Sequence, residues 1–201
     1  SLRVIERGDA DLCFSGGAES KVNLMGLIRM ELAARLAPTA GERNGAACVR
    51  PYDPQAKGGI LGEGGGIVML ESAETAKARN AKPYAEVAGF GAGHSPRSDD
   101  AQERAEGLIA AIESALDDAG IPPQDIDAIV PHASGIRAVD CEEAAAFTRV
   151  FGKRLGDIPL VTLTPSIGDL MAGGGGVAAG VGALCIRRQA LPARIHAGRP
   201  G

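Results

Sequence analysis

Two glycine runs, Gly62-Glu63-Gly64-Gly65-Gly66 and Gly173-Gly174-Gly175-Gly176, limit what this chain can fold into more than any other feature. A residue without a Cβ lets one backbone approach another closely, so runs of it mark packed crossings or special turns. The rest of the chain agrees. It holds 29 glycines and 35 alanines in 201 residues, with 3% aromatics and no Trp. Its 45% hydrophobic content suffices for a core, which must then be built backbone on backbone. Phosphate-binding glycine loops follow a strand and open a helix. The first run instead precedes the apolar stretch Ile67 to Leu70, so it reads as a structural turn before a strand. The second run does open a helix of small residues, Gly173 to Arg188, but no Lys-Ser/Thr follows, which excludes a P-loop. Close helix packing accounts for those glycines, and amides at that helix start remain able to face a carboxylate or thioester oxygen.

Periodicity supplies the elements between the runs. Leu2 to Arg7 reads as the last turns of a helix closed by Gly8, an expectation that this chain is part of something longer. Asp11 to Ser15 reads as a short buried strand followed by a tight Gly16-Gly17 step. Leu24, Leu27, Ile28, Leu32 and Leu36 have helical spacing over residues 23–36. Pro38 to Gly59 reads as a loop, Ala73 to Asn80 as a short helix, and Tyr84 to Gly91 as a strand. Ser98 or Asp99 is the expected cap of a long helix that Gly120 closes. Asp127 to Val130 and Ile158 to Leu163 read as strands, and Asp140 to Phe151 as a helix. Strands alternating with helices predict a layered α/β fold, in one domain or two small ones.

Charge excludes some partners. Lys and Arg number 21 against 25 Asp and Glu, a net charge of −4. Nucleic acid and anionic membranes both call for a basic face, so neither is expected. The apolar stretch Gly173 to Ile186 is too short and glycine-rich to span a bilayer. Cys13, Cys48, Cys141 and Cys185 show no C-x-x-C spacing and read as reduced, mostly buried thiols of a cytoplasmic protein. His94, His132 and His196 stand apart from them, so no metal site is expected. His132 lies at the end of a strand, where α/β enzymes place their chemistry.

The residues around His132 carry more. His132-Ala133-Ser134, then Asp140, Glu143-Ala144 and Phe151-Gly152, resemble the β-ketoacyl synthase pattern H-G-T-x-T-x-x-x-D-x-x-E-A…F-G. Gly8-Asp9-Ala10-Asp11 with Gly16-Gly17-Ala18-Glu19 is similar to that family's G-D-A-D…A-G-G-A-E. Arg50-Pro51-Tyr52-Asp53, then Gly58 and Leu61-Gly62-Glu63-Gly64, resembles R-P-F-D…D-G-F-V-x-G-E-G. Lys82 to Gly91 fits the next strand, Thr162 to Gly176 the loop S-T-K-S-x-x-G-H-x-x-G-A-A-G, and Leu191-Pro192-Ala193 the segment after the last large helix. These ordered matches run from Gly8 to about Pro192.

The resemblance implies a thiolase-like layered α-β-α-β-α fold, held here in part. Residues 1–82 would be the end of the N-terminal half with its connecting segment, and residues 83–201 an incomplete C-terminal half. The nucleophilic cysteine would lie on the order of ten residues before Ser1, about three helical turns. The implied function is acyl transfer, the condensation of an acyl thioester with malonyl-ACP in fatty acid or polyketide synthesis. The implied partners are acyl carrier protein, acyl and malonyl thioesters, and a second copy or related synthase in a dimer; no cofactor is needed. By position His132 matches the family's first histidine, Asp169 its second and Thr164 its lysine. Two histidines would donate hydrogen bonds to the malonyl thioester oxygen as it becomes enolate-like. An ionised Asp169 only accepts, whereas a buried, protonated one could donate. Asp140 and Glu143 read as helix charge and a buried polar network. Three readings stay open: a synthase with an altered catalytic set, a chain-length-factor-like subunit paired with an active synthase, and an acyl-binding scaffold.

Overall fold

A computed structural model describes residues 1–195, and His196 lies outside them. The elements in chain order are α1 (Leu2–Glu6), β1 (Leu12–Ser20), α2 (Leu24–Leu32), α3 (Gly45–Cys48), β2 (Glu63–Glu71), α4 (Ala73–Ala78), α5 (Ala101–Ala119), α6 (Arg137–Phe151), α7 (Thr164–Ile167) and α8 (Gly174–Arg188). β1 and β2 pair antiparallel along their whole length, Leu12 opposite Glu71 and Ser20 opposite Glu63.

Both glycine predictions change at this hairpin. Gly16-Gly17 is the middle of β1 rather than a step after it, and Gly64 to Gly66 belong to β2 rather than to a preceding turn. The reason is the layer above them. α8 and the short 3-10 turn Met171–Gly173 lie on the hairpin where Gly17 faces Gly66. A Cβ on Gly66 would stand 2.5 Å from the Gly176 carbonyl carbon, and one on Gly17 2.5 Å from the Ala172 carbonyl oxygen. Of the second run, Gly173 and Gly176 make this approach, while Gly174 and Gly175 face open space. The opposite face of the hairpin carries Leu12, Phe14, Ile67 and Met69 in the open, Phe14 at 71% and Ile67 at 69% exposure. β1 is thus not the buried strand the sequence suggests.

Local signals set the helices. Asn23 caps α2 by accepting the Gly26 N–H at 2.9 Å. α2 stops at Leu32, short of the expected Leu36, because Ala34 turns to φ +53°. Asp100, one residue past the expected caps, accepts the Gln102 N–H at 2.7 Å and starts α5, which Gly120 closes at φ +65°. α6 begins at Arg137, three residues before the expected Asp140. Ala105, Ile109 and Ala146 join α5 to α6, and Phe147, Phe151 and Ile158 form a second cluster that Tyr52 packs against.

Three expected strands do not become regular ones. Tyr84 to Gly91 has no ladder partner among the described residues; its Gly89 and Gly91 lie against Ala115 and Ala111 of α5. The segments 127–130 and 158–163 meet at one parallel bridge, Ile129 with Leu160. Pro131 and Pro159 each lack the N–H that would extend it. The cysteines are free, as expected, but not mostly buried: Cys141 is exposed and the other three half-buried. Among the described residues no helix is long and apolar enough to cross a membrane.

Candidate functional site

The turn after Pro131 is shaped from beneath by α6. Asp140 and Glu143 stand one turn apart on its inner face, both buried. Glu143 accepts the backbone N–H groups of His132 and Ala133, each at 2.8 Å, and the Tyr52 hydroxyl at 2.9 Å. Asp140 accepts the Ser134 hydroxyl at 3.0 Å, the Gly135 N–H at 3.2 Å and the Tyr52 N–H at 3.0 Å. Both carboxylates are therefore occupied by the turn, which makes them the buried polar network expected of them. Burial, with the charges of Glu143 and Asp140, pushes the Tyr52 hydroxyl far above its usual range, so it stays a neutral donor. Ala133 (φ +50°) and Gly135 (φ +77°) take left-handed conformations that swing the turn over this network.

The three residues singled out by position do come together. Gly168 takes φ +76° and leads into Asp169, whose backbone is held on both sides: its N–H donates to the Ile60 carbonyl at 2.7 Å, and its carbonyl accepts the Gly62 N–H at 2.9 Å. A Cβ on Gly168 would stand 2.6 Å from the Gly62 nitrogen, so the glycine brings this loop against the first glycine run. The Asp169 carboxylate then lies 3.4 Å from His132 Nε2 and accepts the Met171 N–H at 2.8 Å. Thr164, buried at the start of α7, donates its hydroxyl to the Ala133 carbonyl. It ties the loop to the His132 turn and brings no charge to the position matching the lysine.

Electrostatics favour the charged form of each partner. Asp169 holds the His132 imidazole above its ordinary 6.5, with Glu143 and Asp140 adding to it against the opposing effect of burial. His132 in turn holds Asp169 below its ordinary 3.8, helped by the Met171 N–H and by Arg35. The surroundings of Asp169 thus favour its ionised, accepting form over the protonated donor. The His132 side chain is 46% exposed and that of Asp169 only 9%, so the imidazole stands between a buried carboxylate and the open surface.

Tyr52 was missed as a site residue. Its only sequence signal is a hydroxyl where the resembled motif has Phe. Arg35 was missed too, and no local pattern marks it. The chain pairs with known proteins over nearly its full length. The model for "Beta-ketoacyl synthase, N-terminal domain" matches residues 1–76, and that for "Beta-ketoacyl synthase, C-terminal domain" matches residues 84–198. The chain belongs to the β-ketoacyl synthase family. It is 31% identical to a 3-oxoacyl-[acyl-carrier-protein] synthase 2 of Staphylococcus aureus over 201 residues, 100% of this chain and 49% of that protein. A 3-oxoacyl-[acyl-carrier-protein] synthase 2 of Rhizobium meliloti (strain 1021) is 36% identical over 199 residues, 98% of this chain and 47% of that one. The chain thus spans about half the length of the curated relatives it matches.

Structures of the family agree on the fold. A chain of a structure of a type II PKS acyl-carrier protein in complex with its ketosynthase superposes at TM-score 0.85 and 28% identity, covering 95% of this chain and 47% of that one. The ishigamide ketosynthase/chain length factor superposes at TM-score 0.79 and 31% identity, covering 93% and 43%. The β-ketoacyl synthase chain described here has the thiolase-like layered α/β fold, present in part.

Proposed function

We propose that the protein containing this chain is a ketosynthase-fold subunit that receives acyl groups on acyl carrier protein but does not carry out decarboxylative condensation with malonyl-ACP. The observation that carries this reading is the His132–Asp169 ion pair. Stabilising an enolate-like thioester oxygen takes hydrogen-bond donors aimed at that oxygen. Here the second donor is replaced by a carboxylate, and the first, His132 Nε2, lies 3.4 Å from it. A unit negative charge about 4 Å from a developing enolate would oppose it by about 1–4 kcal/mol at effective dielectrics between water and a protein surface. Thr164 supplies no compensating cation. Likeness to a ketosynthase solved with its acyl-carrier protein supports the carrier-protein partner. Likeness to a ketosynthase/chain length factor supports pairing with a related synthase or a second copy. The free thiols accord with a reducing, cytoplasmic setting.

The competing reading is a condensing acyltransferase with an altered catalytic set, in which His132 and Asp169 still act on the thioester. The intact Asp140–Glu143 support of the His132 turn favours it, since that turn keeps a defined shape. Incubation of the protein with malonyl-ACP and an acyl-ACP decides between them by release of carbon dioxide. The expected result is no release above buffer, with a gain in the Asp169→His variant. Condensation at ordinary synthase rates in the unaltered protein would sink the proposal.

A further inference from the structure

We draw no further inference here: the strongest candidate, the open apolar face of the β1–β2 hairpin around Phe14 and Ile67, carries none, because nothing in the structure shows what covers it.

Discussion

Ala133 shows how a single methyl group acts at this site. It sits at φ +50°, next to His132, where the resembled motif has glycine. A left-handed conformation costs an L-residue about 1–2 kcal/mol relative to glycine. Ala133→Gly should therefore stabilise the chain by up to about 1 kcal/mol in urea unfolding, after its larger unfolded-state entropy is counted. The ion pair makes a second prediction at this scale. His132 is raised in the fold, so its contribution is fully present below 6.5 and is lost as pH rises through the higher folded value. Asp169 is lowered, so its contribution is present above 3.8 and is lost as pH falls through the depressed value. The stability gap between the unaltered chain and Asp169→Asn should be widest near pH 5 and narrow by pH 9. A gap that does not change across that range would mean the pair is not charged. Glu143 is the third case. Glu143→Ala strips the partners from the His132 and Ala133 N–H groups and should cost about 2–4 kcal/mol.

At the scale of elements, close approach decides. α8 rests on the β1–β2 hairpin through bare backbone, so Gly66→Ala should cost about 3 kcal/mol or more, because backbone rather than a movable side chain would meet the new Cβ. Gly180, in the middle of α8, has nothing within 4 Å of its Cβ position. Gly180→Ala should stabilise by about 0.5–1 kcal/mol through helix propensity. Opposite signs at these two glycines, one at the helix–sheet contact and one clear of it, would show which of them the packing needs; equal effects would reject the distinction. This is also where the sequence was only partly legible. Helix α5 could be read with its cap within two residues, since capping and period are local. Gly64 to Gly66 could not be assigned to a strand, because glycine carries no period and only the register with β1 makes it one. Tyr84 to Gly91 alternates like a strand, yet its glycines serve the approach to α5.

At the scale of the whole chain, Leu12, Phe14, Ile67 and Met69 lie exposed on one face of the hairpin while α8 covers the other. Apolar patches of this kind bind dyes and promote association. The chain should raise anilinonaphthalene sulfonate fluorescence while folded, and Phe14→Thr with Ile67→Thr should reduce it by about half or more without lowering the unfolding midpoint. Dye binding that is insensitive to both changes would place the exposed surface elsewhere. What the sequence determined by itself is the family and the layered α/β class; it also singled out the positions His132, Asp169 and Thr164. Ordered motifs and charge types are local properties that survive without coordinates. Tertiary structure alone decided that these three meet, that His132 stands beside Asp169 and favours its ionised form, and that Tyr52 and Glu143 hold the turn. Those facts depend on distances between segments up to 91 positions apart and on burial. A carboxylate's protonation follows from what surrounds it, and no single stretch of chain contains its own surroundings.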